Sequence, residues 1–150
     1  KETYIVVRCS ISGASVLGIS FNLSCSEVIV VEVDPLESDL VLYNLFKNSL
    51  EACKNESAPL ISITVEESEQ EAVIQIRDNG PEISEDLVNS IFIPKVSQKT
   101  DGLGLGLSIC KALAESQGGC LSAIRNAEGH LVMKLCLLKA DSVKEIGENQ

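Results

Sequence analysis

The segment Gly102-Leu103-Gly104-Leu105-Gly106-Leu107-Ser108 puts three glycines within five residues, directly at the start of a helical pattern. A glycine inside a helix costs roughly 1 kcal/mol relative to alanine, so helix stability does not explain the run. The plain reading is a flexible linker before a helix, and it is weaker for three alternating glycines than for one. Without Cβ atoms the backbone is open to a ligand, and the first N–H groups of the helix, at its positive dipole end, suit phosphate. The pattern is not the dinucleotide G-x-G-x-x-G, because position 107 is Leu107, and the chain has no G-x-x-x-x-G-K-[ST] loop. The chain carries 12 Lys plus Arg against 22 Asp plus Glu, a formal charge of −10. An anionic ligand must therefore be held by local donors, and non-specific binding to nucleic acid or to an anionic membrane is disfavoured.

The surrounding pattern mixes strands and helices within 150 residues, the size of one domain. Ile5 to Val7, Ile19 to Leu23 and Val28 to Val33 read as strands, the first two separated by the Ser/Gly-rich stretch Ser12 to Gly18. Asp34-Pro35-Leu36-Glu37 predicts a helix start: Asp34 as N-cap, Pro35 at the first helical position and Glu37 completing a capping box. That helix should run to about Lys54. Leu60 to Glu66 and Ala72 to Arg77 alternate and predict a hairpin; Ser84 to Ile91 predicts a short helix. A second long helix is expected from about Leu103 to Gln117, ended by Gly118-Gly119. Cys120 to Arg125 and Leu131 to Leu138 predict a last hairpin. The sum is α+β, with the helices on one face of the sheet.

Within this frame, Asn44 and Asn48 are four residues apart and share a helix face. They are either ordinary polar residues at a helix edge or hard oxygen donors for Mg²⁺. Asp78 heads the turn Asp78-Asn79-Gly80-Pro81. It is either a plain turn residue or, sharing a face with Ala72, Ile74 and Ile76, an inward carboxylate that needs a donor such as the exocyclic amine of a base. His130, the one histidine, is expected to be a surface turn residue without function. The six cysteines form no C-x-x-C pair, which argues against zinc; each sits in an apolar stretch and is expected to be a buried thiol of a reducing compartment. The uncharged stretch Cys9 to Ser26 is too polar to span a membrane. No signal peptide is recognisable, and the single methionine, Met133, predicts a piece of a longer, cytoplasmic chain.

Four pieces in order then resemble the N, G1, F and G2 boxes of the histidine-kinase ATP-binding domain, in the superfamily shared with gyrase B, Hsp90 and MutL. Asn44-Leu45-Phe46-Lys47-Asn48-Ser49-Leu50-Glu51-Ala52 resembles N-L-x-x-N-A-x-E-A. Asp78-x-Gly80 resembles the start of D-x-G-x-G. Phe92-x-Pro94-x-x-Ser97-x-Lys99 resembles F-x-P-x-x-T-x-K, and Gly102 to Ile109 matches G-x-G-L-G-L-S-I. The resemblance implies a two-layer α/β sandwich of the Bergerat type, a mixed, mostly antiparallel sheet packed under about three helices. It spans residues 17–140, with 1–16 an unassigned lead-in and 141–150 a polar tail.

By the same resemblance, the cofactors are ATP and Mg²⁺. Asn48 would ligate the metal and Asn44 support it; Lys47 would face the phosphates. Asp78 would accept from the adenine amine, and Gly80 would let the base sit close. Lys99 would belong to a lid, and Gly102, Leu103, Gly104, Leu105, Gly106 and Leu107 would hold the phosphates by their backbone. The implied activity is transfer of the γ-phosphoryl group to a histidine on the parent's own dimerisation domain, and through that domain to a response regulator. A non-catalytic nucleotide-binding module and a superfamily ATPase are the alternatives. Related ATPases carry a glutamate where this chain has Asn44, and an amide cannot take a proton from water. Glu82 stands where the G1 box has its second glycine, and it is either a carboxylate that repels the triphosphate or a solvent-facing residue of the turn after Pro81 whose charge is screened.

Overall fold

The computed structural model describes residues 4–7, 14–16, 18–25, 29–94 and 106–140. A six-stranded sheet has the order β2 (Ala14–Val16), β3 (Ile19–Cys25), β5 (Leu60–Glu67), β6 (Glu71–Asp78), β8 (Leu131–Leu138) and β7 (Cys120–Arg125). Among the described strands of this sheet, β3 and β5 pair in parallel and the other neighbours are antiparallel. β1 (Tyr4–Val7) and β4 (Ile29–Glu32) form a separate antiparallel pair. That pair is joined to the end of β8 by the Val31–Lys139 bridge and by the Ala140 N–H donating to the Val30 carbonyl at 3.1 Å.

The alternation that predicted the hairpins also sets the layers. Along one register row, Leu23, Ile63, Ile76, Met133 and Ala123 lie side by side; along the next, Val65, Ile74, Leu135 and Leu121 do. These residues, Leu23 excepted, form the core with the buried stripe Val41, Leu45 and Cys53 of α1 (Pro35–Cys53) and with Cys110 and Ala114 of α3 (Leu107–Ser116). A helical stripe with steps of three and four is the geometry that lets a helix lie on a sheet. Glu85–Ser90 forms the short α2, capped by Ser84, whose Oγ accepts from the Leu87 N–H at 3.2 Å.

Two local expectations need correction. The Ser/Gly stretch read as a separator contains β2, which turns into β3 through Gly18 at φ 78°. An edge strand pairs on one side only, so polar composition does not forbid it. The capping box is also built differently. Asp34 Oδ1 accepts from the N–H groups of Leu36 (2.9 Å) and Glu37 (3.1 Å) as expected. The Asp34 N–H, however, donates to Gln117 Oε1 at 2.7 Å and not to Glu37, and the Ser38 hydroxyl meets the same oxygen at 3.4 Å. The residue after α3 thus closes the cap of α1, and a local motif becomes a clamp between two helices. α3 starts at Leu107, and positions 103–105 of the expected helix lie outside the described residues.

Candidate nucleotide site

β6 ends at Asp78 because the next three residues make a turn that is tightly held. The Asn79 side chain accepts from the Leu60 N–H and donates to the Ala58 carbonyl, both at 2.8 Å, which staples the turn to the start of β5. Period two then turns Asp78 toward the helices, beside Ile74 and Ile76, and it is 8% exposed. Its Oδ1 accepts from the Gly80 N–H at 2.9 Å. Gly80 is needed here for packing: a Cβ would stand 2.8 Å from the Ala52 carbonyl of α1 and 2.8 Å from the Asp78 carboxylate. The expected role of Gly80 toward a base is thus joined by a steric role toward α1.

Burial raises the Asp78 carboxyl above the usual carboxylate range. The Gly80 N–H, the Ser49 hydroxyl and His130 oppose that shift. Ser49 lies on the sheet-facing stripe of α1 and is itself buried. Cys53, one turn further, is pushed up by its own burial and then by the Asp78 charge. A buried carboxylate with a backbone donor on one oxygen keeps acceptor capacity for a further donor. That is the chemistry an exocyclic amine would satisfy.

Sequence reading passed over two members of this corner. Ser49 replaces the alanine that follows the second asparagine in the resembled motif, and that added hydroxyl was a usable signal. His130 is half-buried, and among the described residues its buried Nδ1 has no hydrogen-bond partner. It lines a cleft of about 100 Å³ together with Asp78, Asn79 and Arg77. The turn setting hid this, because its neighbours come from β5 and β6. A larger cleft, about 330 Å³, lies between Asn22 and Ser24 of β3, Ser62 and Thr64 of β5, and Arg77. It contains none of the residues expected at the site.

On α1, Asn44 is buried and its Nδ2 donates to the Leu40 carbonyl at 2.7 Å, so its Oδ1 is the atom turned away from the helix backbone. Lys47 is half-buried and Asn48 exposed. Two neutral amide oxygens one helical turn apart fit a Mg²⁺ ion that keeps waters and takes its remaining ligands from phosphate. Among the described residues no group of three or more His, Cys, Asp or Glu could hold a metal.

At the start of α3, Gly106 is the N-cap and supplies no side-chain acceptor. Gly106 and Leu107 are therefore placed at an open helix start, whereas Lys99, Gly102, Leu103, Gly104 and Leu105 lie outside the described residues. Phe92 packs against the core, and Lys111 of α3 sits 4.9 Å from its ring centroid. The Lys111 ammonium also donates to the Leu121 carbonyl at 3.4 Å. Glu82 lies against the β7–β8 turn: a Cβ on Gly129 would come 3.0 Å from both Glu82 Cγ and Arg125 Nη2. Among the described residues no helix is long and apolar enough to cross a membrane.

Comparison with known proteins agrees with this arrangement. The family described as histidine kinase-, DNA gyrase B-, and HSP90-like ATPase matches residues 33–141. The sensor protein KdpD of Clostridium acetobutylicum is 34% identical over 119 residues, covering 75% of this chain and 13% of the relative. The signal transduction histidine-protein kinase AfsQ2 of Streptomyces coelicolor is 35% identical over 121 residues, covering 77% and 22%. Among solved structures, the catalytic domain of histidine kinase ThkA superposes with a TM-score of 0.70 at 34% identity, covering 81% of this chain and 80% of that one. The chain thus spans less than a quarter of the length of these two curated relatives. Its sheet order, its helix layer and its ordered motifs place it in the histidine kinase-, DNA gyrase B- and HSP90-like ATPase family, as a catalytic domain of the histidine-kinase kind.

Proposed function

We propose that the chain binds Mg-ATP and passes the γ-phosphoryl group to a histidine on a separate helical dimerisation domain of its parent. A response regulator would then take the phosphoryl group from that domain. The observation that carries the reading is Asp78: a buried carboxylate at a strand end, bonded to the Gly80 N–H, beside the Ser49 hydroxyl. Its remaining acceptor capacity suits the amine of adenine, and a base bound there would direct the phosphates along α1 toward Asn44, Lys47 and Asn48. The open N-terminus of α3, with its glycine run, suits the triphosphate. In such transfer the protein mainly positions the phosphoryl group and offsets its charge. When bound, Mg²⁺ would neutralise phosphate charge, with Asn48 and the Asn44 Oδ1 as its protein ligands.

Asn44 also bears on the choice between transfer and hydrolysis. It is a neutral amide whose nitrogen is committed to the Leu40 carbonyl, so it cannot act as a base for water. The sole histidine, His130, sits at a strand start beside Asp78 and not on a helix, so the acceptor is expected on another domain. ThkA is seen in complex with its response regulator TrrA; that structure is 30% identical with a TM-score of 0.66 and covers 81% of this chain and 34% of that one. This supports a response regulator as the downstream partner here.

The test uses γ-labelled ATP, this chain and the parent's helical dimerisation domain as a separate polypeptide. Acid-labile label on the second polypeptide, lost with Asn48→Ala, is the expected result. Label that is released steadily as phosphate by this chain alone, without transfer, would overturn the kinase reading in favour of an ATPase.

A further inference from the structure

The face of the sheet away from the helices carries a pair of thiols that the nucleotide site does not use. Cys120 opens β7 and Cys136 lies in β8, and the two are direct partners in the antiparallel register. The register is held by the Gly118-Gly119 pair that ends α3. Gly118 takes φ 78°, and a Cβ on Gly119 would collide with the Cys136 carbonyl, so β7 can close onto β8 at this point only without side chains there. Opposed residues in an antiparallel ladder have Cα atoms about 4.5 to 5.5 Å apart, inside the range of about 4.4 to 6.8 Å that a disulfide spans.

The two thiols are unequal. Cys120 is exposed, on a strand that among the described residues is the edge of the sheet, while Cys136 is half-buried. Burial, then the adjoining Cys120 thiol, then Glu71 push Cys136 up to about 11, against the opposing pull of Lys134. Cys53 and Cys110, by contrast, are fully buried in the core. Among the described residues the sheet face that carries Ser122, Lys134, Cys120 and Cys136 is not covered by a helix, since α1 and α3 pack on the opposite, apolar face.

We propose that Cys120 and Cys136 form a redox-active cross-strand dithiol, oxidised to an intramolecular disulfide by low-molecular-weight disulfides of the glutathione class. The Cys120 thiolate attacks one sulfur of the small disulfide. The S–S bond of the reagent breaks, one thiol leaves, and a mixed disulfide forms on Cys120. Cys136 then gives up its proton and attacks the Cys120 sulfur, which expels the second small thiol. The dithiol loses two electrons and two protons, and the small disulfide gains both as two thiols. Accessibility makes Cys120 the attacking sulfur, and register makes Cys136 the resolving one. Excess monothiol runs the sequence backward.

The experiment treats the chain with oxidised glutathione and reads intact mass, peptide linkage and melting temperature. The wild type is expected to lose two hydrogens in mass, with a linked peptide joining Cys120 to Cys136. The bridge closes the loop of residues 121–135, and a closed loop of that size should raise the melting midpoint by roughly 10 °C. Cys136→Ser is expected to stop at a stable glutathione adduct on Cys120, and Cys120→Ser to form neither product. Nucleotide affinity should be the same before and after oxidation, so the outcome does not depend on the proposed phosphotransfer. An unchanged wild-type mass, a lasting glutathione adduct on wild-type Cys120, or a disulfide between other cysteines would each overturn the proposal.

Discussion

The two ends of the α1–α3 helix pair are finished in opposite ways. Where α1 begins and α3 ends, the helix termini are satisfied by protein. Asp34 takes two N–H groups of the first turn, and Gln117 takes the Asp34 N–H and the Ser38 hydroxyl. Where α3 begins, the cap is Gly106, which has no side chain to accept from the first turn. Further along α1, Asn48 is exposed and Asn44 turns its oxygen away from its own helix. Orphan N–H groups at a helix start are normally capped by side chains, water or a ligand. One end of the pair is therefore closed by protein groups, and the other is the end where the proposed function puts the phosphates. The same fold thus separates residues whose loss should unfold the chain from residues whose loss should only empty it.

The largest effect is expected at Asn48. Asn48→Ala should lower Mg²⁺-dependent ATP affinity more than about 100-fold, since second-shell losses alone reach 10 to 100-fold at metal sites. The melting temperature should hold, because the side chain is exposed. Calorimetric titration with and without Mg²⁺ reads both. Undiminished binding would move the metal off α1.

Asp78→Asn comes next. Losing a hydrogen bond to a charged group costs about 1.5 to 3 kcal/mol, or roughly 10 to 150-fold in ATP affinity, with much less effect on free triphosphate. The stability sign runs the other way. Asp78 binds its proton more tightly folded than unfolded, because burial raises its carboxyl. Stability from this group is therefore lost as pH rises through the raised range and regained as pH falls. The amide variant should melt higher than wild type at pH 7, and the gap should close on acidification. ATP binding by wild type should weaken on acidification before an ordinary carboxylate would titrate, as Asp78 becomes protonated. Equal losses for ATP and triphosphate would place Asp78 away from the base.

Gln117→Ala tests the finished end. It removes three hydrogen bonds, two from α1 and one to the Leu113 carbonyl, and at about 1 kcal/mol each the melting temperature should fall by roughly 6 to 12 °C. ATP affinity should stay within about twofold. A large loss of affinity with little loss of stability would show that the two ends are not separate.

How much of this could be read from sequence follows the range of the forces involved. The hairpins Leu60–Glu67 with Glu71–Asp78 and Cys120–Arg125 with Leu131–Leu138 were legible because alternation is local and one face is buried. The helix start at Asp34 was legible for the same reason. Gln117 was not, because its acceptor oxygen serves a donor 83 residues away. His130 was misjudged likewise: its own neighbours spell a turn, while the groups around it come from β5 and β6. At Gly80 the motif suggested only a role toward a base, and the packing against the Ala52 carbonyl of α1 was hidden because it comes from a distant element. Cys120 looked like a core thiol because its apolar neighbours include Leu121; alternation puts Leu121 in the core and Cys120 on the open face.

Glu82 should give the smallest effect, and its argument turns on what surrounds the carboxylate. A carboxylate about 4 Å from a phosphate charge would cost roughly 1 kcal/mol in water and roughly 4 kcal/mol near a protein surface, a loss of affinity of roughly fivefold or more. That is one of the two readings of its place in the G1 motif. Glu82 instead folds against the β7–β8 turn, where it crowds Gly129 together with Arg125. Arg125 is anchored there by its own Nε, which donates to the Ile83 carbonyl at 2.7 Å, and the Ile83 N–H donates to the Gly129 carbonyl at 2.9 Å. Glu82 and Arg125 are both exposed and lie against the same turn without a direct ion pair, so solvent and the nearby positive charge weaken the field of the carboxylate. Glu82→Gly should therefore change ATP affinity by less than about twofold at low salt, on that weakening. Arg125→Ala should uncover the charge: ATP affinity should fall, and the fall should shrink with added salt. If Glu82→Gly alone tightens ATP tenfold at low salt, the carboxylate faces the triphosphate and Arg125 does not cancel it.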